Sequence, residues 1–284
     1  MRIAFIIQVH KQPAQLERLL KSLAHPQVDC YVHIDAKCAL PEWEQVLALP
    51  QVYLIKERAN VTWAGWGIIQ ASLNGMNTVL RSGINYAWVT LLSGQDYPLQ
   101  PIGDILRFLE KQTGRQFMNV ISEEALRPMM SKMEHYHFVE YNFPGKYKLG
   151  QLLTALLPRR KAPLGLKLCC GSAWWTLTLD CVRFCVEYEQ QHPALRRYFK
   201  LTWGADEFIF QTILMNSDVY RPQLTDYLHY IDWSAGKEHP KVLGVEDMEA
   251  LMSSGKCFAR KFDHGAPVLD RIDEIIKKPV GSHD

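Results

Sequence analysis

No run of 18 apolar residues occurs in this 284-residue chain, so the sequence offers no membrane-spanning helix. It also lacks a C-x-x-C pair. Its seven cysteines are odd in number and irregular in spacing, with Cys169 beside Cys170 and Cys181 four residues from Cys185. That pattern argues against a disulfide framework or a zinc site and for reduced, mostly buried thiols in a cytoplasmic protein. An excess of charge is missing too. Against 30 Asp and Glu stand 32 Lys and Arg, a net +2, which disfavours nucleic acid as an electrostatic partner. Repeats, low-complexity tracts and linkers are absent, so one domain over 1–284 is expected. The opening M-R-I-A-F-I-I-Q-V-H has no small-residue cleavage site and runs straight into a helical pattern. It reads as a buried strand, not a leader.

With 48% apolar residues the chain has material for a large core. Strand patterns are expected at Ile3–Val9, Cys30–Ile34, Val52–Ile55 and Tyr86–Leu92, with helices at Pro13–Leu23 and Ile68–Arg81 between them. Strand alternating with helix implies an α/β fold with a mostly parallel central sheet flanked by helices. Residues 1–100 are expected to form its nucleotide-binding half and 101–284 its acceptor and catalytic half. Functional residues should gather at carboxyl ends of strands, where Asp35 and the turn Ser93–Asp96 fall. Further on, the pattern predicts a helix at Pro101–Gln112 and strands at Phe117–Ile121, Gly171–Leu179 and Tyr227–Ile231. It also predicts one continuous helix over Ala205–Met215.

Local absences are as informative. The hexapeptide Cys257–Phe262, C-F-A-R-K-F, contains no acid, and sets Arg260 and Lys261 between Phe258 and Phe262. Adjacent cations on aromatic anchors can neutralise a diphosphate without a metal, although the same pattern fits a solvated strand end. The turn L-S-G-Q-D-Y-P-L after the Tyr86–Leu92 strand offers one carboxylate, Asp96, and no Asp-x-Asp pair. A hard divalent cation would want more oxygen ligands. From Tyr141 to Leu179 there is no acid at all, while Lys146, Lys148, Arg159, Arg160, Lys161 and Lys167 sit among Leu and Pro. The 146–167 stretch therefore reads as a basic loop that borders an acceptor or touches anionic lipid headgroups.

Other segments carry two readings each. W-A-G-W-G-I-I-Q, Trp63 to Gln70, is core and helix punctuation, or a flat wall for a base or sugar ring. Asp35 closes H-I-D at a strand end, where a carboxylate can accept hydrogen bonds from a ribose or uracil. Asp206 and Glu207 open the Ala205–Met215 pattern, either as first-turn acids serving the helix dipole or, for Glu207, as a general base tuned by burial.

Seven segments in one order resemble glycosyltransferase family 14, the core-2 and I-branching N-acetylglucosaminyltransferases and peptide O-xylosyltransferases. They are V-H-I-D-A-K, W-A-G-W-G, L-S-G-Q-D-Y-P-L, G-S-A-W-W-T-L, D-E-F-I-F-Q-T-I-L-M-N-S, I-D-W and F-A-R-K-F. The resemblance implies a GT-A, Rossmann-like fold and inverting transfer from a UDP-sugar without a divalent metal or other cofactor. It implies that Glu207 is the base and that Arg260 and Lys261 meet the diphosphate. Asp35 with Trp63 and Gly65 would lie on the uridine side. Asp96, Asp206, Gly171, Ser172, Trp174 and Trp175 would lie on the sugar and acceptor side. Animal members carry an amino-terminal anchor and disulfides, neither of which is expected from the residues of this chain. It therefore resembles a bacterial-type member, acting on a glycan or lipid-linked acceptor, cytoplasmic or peripheral at the inner membrane face. Two other classes fit fewer residues. A metal-dependent nucleotidyltransferase or retaining transferase would need a second acid near Asp96. A non-catalytic sugar-binding module would have no use for the base and the paired cations.

Overall fold

The computed structural model describes residues 1–276 apart from positions 142 and 237. Positions 277–284, included in the single-domain expectation, lie outside the described residues. The run I-A-F-I-I-Q-V forms strand β1 (Ile3–Val9), and all but Gln8 are buried. A strand apolar at successive positions needs cover on both faces, and this one has it. Ile3, Phe5, Ile7 and Val9 join one core with the helices Pro13–Ser22 and Pro267–Ile276. Ala4 and Ile6 join a second core with the helices Trp66–Arg81 and Leu179–Gln191. The result is a sheet between two helical layers.

Beside β1 run β2 (Val28–Ile34), β3 (Val52–Leu54) and β4 (Trp88–Ser93). With β6 (Gln116–Met118), β7 (Trp175–Thr178) and β8 (Leu224–Thr225) they form a seven-stranded sheet of order β3-β2-β1-β4-β7-β6-β8. Pairing is parallel from β3 through β4, β7 is antiparallel to both neighbours, and β8 is parallel to β6. The α/β class with a mostly parallel sheet is thus present. The sheet grows from β1 toward β3 and then from β1 toward β4, so the strand order reverses between β1 and β4. In open α/β sheets the crevice at such a reversal, beyond the carboxyl ends of the strands, receives the ligand. His10, Lys11 and the turn Ser93–Asp96 stand there.

A small second sheet delivers the basic pair. β5 (Tyr97–Pro98) lies antiparallel to β10 (Phe258–Arg260), which runs parallel to β9 (His229–Ile231). β5 begins immediately after Asp96, so this pairing carries Arg260 to the end of β4. Phe258 and Phe262 are fully buried and act as the expected anchors. Phe262 N also donates to Gln95 O at 2.9 Å, fastening the segment to the turn.

Three expectations need correction. The continuous helix over Ala205–Met215 is broken: a 3-10 turn spans Ala205–Glu207, Phe208 leaves the helical path (φ −122°, ψ −39°), and the α-helix is Ile209–Met215. Both acids therefore precede that helix, in the 3-10 turn, and do not open its first turn. The strand expected at Gly171–Leu179 is only Trp175–Thr178, and Gly171 instead packs closely onto the backbone of Asn119. The 146–167 stretch, expected as a loop, contains the helix Lys146–Leu156.

Candidate active site

Glu207 sits where three of the sequence motifs meet. Gly204, held at φ 66°, turns the chain into the Ala205–Glu207 turn, and its N–H donates to Ala64 O at 2.8 Å. This ties the turn to the Trp63–Gly65 loop. On the other side, Gly171 N–H donates to Glu207 O at 2.9 Å. A Cβ at Gly171 would coincide with Asn119 O, so only glycine permits that approach. Two backbone hydrogen bonds from remote segments thus fix the acid's position. Its side chain is 29% exposed, and Oε2 lies 3.8 Å from Lys132 Nζ. Burial first, and Asp206 second, push the Glu207 carboxyl up to about 7, with Lys132 opposing them. A carboxylate poised near neutrality and open to solvent can take a proton from a hydroxyl.

Asp206 is raised as well, by burial, while Arg260 and Lys132 oppose the shift. Arg260 therefore links the acid turn to the β4 end. Its side chain is 14% exposed, its Nε is 3.2 Å from Asp96 Oδ1, and its guanidinium lies 4.0 Å over the Trp174 ring. Asp96, almost fully buried, accepts from Ser93 N at 2.6 Å and Ser93 Oγ at 3.0 Å. Burial raises its pKa against the pull of Arg260 and Ser93. His229 closes this inner end. It is buried, packed between Trp174 and Phe258, and burial drives it down to about 3, so the ring is neutral with Nε2 3.9 Å from Asp96 Oδ2.

Lys261 differs. Burial, Arg260 and Lys11 lower its pKa and Asp263 opposes them. The two cations thus divide: Arg260 is buried against Asp96 and Trp174, and Lys261 is only half-buried, with Lys11 and Asp263 among its charged neighbours. Asp35 stands just past the carboxyl end of β2. Its N–H donates to Val9 O, and its Oδ1 accepts from Lys37 N, both at 2.9 Å. Lys37 Nζ reaches Val61 O at 2.6 Å, joining the Asp35 loop to the segment before Trp63.

The tryptophans separate. Trp63 is 57% exposed and stands edge-on to Trp203 at 5.1 Å, while Lys132 Nζ lies 4.3 Å over the Trp203 ring. Trp174 lines the crevice. Trp175 is fully buried against Phe210, away from the crevice, as the next residue along an extended chain must be. Ser172 is held by its backbone, its O accepting from Gln211 Nε2 at 2.6 Å. Gly65 caps the helix Trp66–Arg81, and Glu140 occupies that helix end, its Oε1 accepting from Gly67 N at 2.9 Å. Sequence reading missed Lys132, Trp203, His229 and Glu140. Trp203 begins the W-G-A-D-E segment and carried a signal; Lys132 and Glu140 lie in stretches with no motif.

A carboxyl group raised to about 7, a buried guanidinium and an aromatic ring stand together beyond the reversal point of the parallel sheet. Residues 3–252 match the core-2/I-branching enzyme family, and the chain belongs to it, as the motifs led us to expect. The chain is 28% identical over 283 residues to the beta-glucuronosyltransferase GlcAT14A of Arabidopsis thaliana, covering 94% of this chain and 62% of that one. It is 26% identical over 308 residues to the xylosyltransferase oxt of Drosophila melanogaster, covering 99% of this chain and 34% of the relative. It thus spans under two thirds of the length of these curated relatives. Among solved structures, the galactosyltransferase LgtC in complex with donor and acceptor sugar analogues aligns at a TM-score of 0.45 and 12% identity, over 97% of this chain and 95% of that one.

Proposed function

We propose that the chain is an inverting glycosyltransferase that moves a sugar from a UDP-sugar to a hydroxyl of a glycan acceptor without a metal ion. The observation that carries this reading is the convergence on Glu207, with its turn hydrogen-bonded to both Ala64 and Gly171. In the proposed step the Glu207 carboxylate takes the proton of the acceptor hydroxyl. The acceptor oxygen forms its bond to the anomeric carbon from the face opposite the leaving group. The bond from that carbon to the diphosphate oxygen breaks, and UDP departs with the electron pair. The half-buried Lys261 and the buried Arg260 would stabilise the charge growing on UDP. Support for a metal-free reaction comes from Asp96, whose oxygens already face Ser93 and Arg260.

The donor sugar is proposed to be N-acetylglucosamine or xylose. UDP-glucuronic acid joins the set to be tested because a relative is named for glucuronosyl transfer. The proposed setting is bacterial surface-polysaccharide synthesis on a lipid-linked acceptor at the cytoplasmic membrane face. No helix among the described residues is long and apolar enough to cross a membrane. Calorimetry with UDP and these UDP-sugars in EDTA tests the reading. UDP should bind with chelator present, and Lys261→Ala should weaken it by about 1.5–3 kcal/mol, the worth of a hydrogen bond to a charged group. Affinity that collapses on chelation and returns with manganese would favour the metal-dependent alternative instead.

A further inference from the structure

The helix Lys146–Leu156 turns an apolar stripe to solvent. Leu149, Leu152 and Leu156 share one face at helical spacing and are 39%, 53% and 71% exposed. Two small residues seat the helix on its inward side. Gly150 is buried so close to Tyr136 O that a Cβ there would press on it at 3.0 Å, and Thr154 Oγ1 accepts from Tyr136 N at 3.5 Å. Close seating on the small side leaves the leucines outside.

Charge gives the stripe its partner. No acid occurs from Tyr141 to Leu179. Arg159 is paired with Glu134 and Lys167 with Glu123, and Arg160 is drawn inward against Tyr198. Lys148 and Lys161 remain exposed on either side of the leucines, and Lys146 lies over the Tyr147 ring. Exposed leucines on a segment that carries cations and no acid of its own match the boundary between anionic headgroups and acyl chains. Behind the helix lies a cavity of about 280 Å³, bounded by Gln151, Thr154, His135, His137 and Trp203. Trp203 is the ring beneath Lys132, whose Nζ faces Glu207.

We propose that the helix Lys146–Leu156 docks the chain onto an anionic lipid bilayer, seating Leu149, Leu152 and Leu156 at the acyl boundary. Docking this way sets the cavity beside the membrane surface, where it receives the saccharide of a lipid-linked acceptor. That last consequence rests on the transferase reading; docking itself does not.

The test is co-sedimentation of the full chain with vesicles of phosphatidylcholine alone, or with one third phosphatidylglycerol, at physiological salt. Each near-surface cation is worth roughly fivefold in partition, so anionic vesicles should bind at least roughly tenfold more protein than neutral ones. Leu152→Glu/Leu156→Glu should lose that binding by roughly tenfold or more while keeping its melting temperature and its UDP affinity. Wild-type protein left in the supernatant with both vesicles, or a variant that sediments like wild type, overturns the proposal. So does light scattering that finds a dimer which the double variant dissociates, for then a second copy covers the stripe. Loss of the transferase reading looks different: no UDP binding by either protein, with vesicle binding intact.

Discussion

Arg260→Met removes the only cation that faces Asp96 within 3.5 Å among the described residues. The Asp96 side chain is 0% exposed and that of Arg260 14%, so water cannot replace the guanidinium without rearrangement. Removing one partner of a buried ion pair costs about 3–5 kcal/mol. Two features moderate the loss. Asp96 keeps its two hydrogen bonds from Ser93, and burial already raises its pKa, so it can escape by taking a proton. The expected cost is therefore at the low end, about 3 kcal/mol. At about 2 °C per kcal/mol for a domain of this size, melting should fall by about 6 °C. Asp96→Asn makes the cation unnecessary, so in a double-mutant cycle the pair should couple by at least about 1 kcal/mol. Thermal unfolding followed by circular dichroism at neutral pH reads both. The defect should shrink as pH falls, because burial holds the Asp96 carboxyl above its ordinary range and eases its protonation. An Arg260→Met protein that melts within about a degree of wild type, or a strictly additive cycle, would refute the reasoning.

Two more outcomes follow from the acid turn. Gly171→Ala should lose more than about 2 kcal/mol, because the new methyl meets the backbone oxygen of Asn119, which cannot swing aside. Gly65→Ala should cost less, since the atom in its way is the mobile end of Glu140; comparable melting temperatures for the two variants would contradict this. Stability should also respond to pH through Glu207. Its folded pKa of about 7 lies above the unfolded value, so the native state holds the extra proton between them and stability falls as pH rises across that window. Urea titrations at pH 5 and pH 8 should differ by roughly 1–3 kcal/mol, and Glu207→Gln should shrink the difference to the part that Asp206 contributes. A wild type whose stability rises over that range would count against a raised carboxyl.

Much of this was legible in the chain, for reasons that can be named. β1 coincides with the apolar run Ile3–Val9 because a strand covered on both faces has no polar alternation to blur its ends. The anchoring of Arg260 and Lys261 by Phe258 and Phe262 could be read from five adjacent letters. What those letters hide is burial: Arg260 ends β10 and is buried against Asp96, while Lys261, just past the strand, is only half-buried. Alternation along an extended chain could have told Trp174 from Trp175, since neighbours point to opposite faces. The break between Glu207 and Ile209 left no such trace, because the apolar spacing of Phe208–Met215 continues a helical pattern that Gly204 and Phe208 interrupt only in backbone angles. Glu140 reaches the helix at Gly67 from 73 residues away, and no local pattern announces a contact of that range.

Turnover by Glu207→Gln, measured with the UDP-sugar that calorimetry selects, tests the central claim most directly. Gln keeps the size and most hydrogen bonds of Glu but cannot accept the acceptor's proton. The account predicts donor affinity close to wild type and transfer reduced by roughly 10²- to 10⁴-fold. A variant that binds the donor and transfers it within about threefold of wild type would remove Glu207 from the reaction and contradict the account, since a general base contributes far more than that.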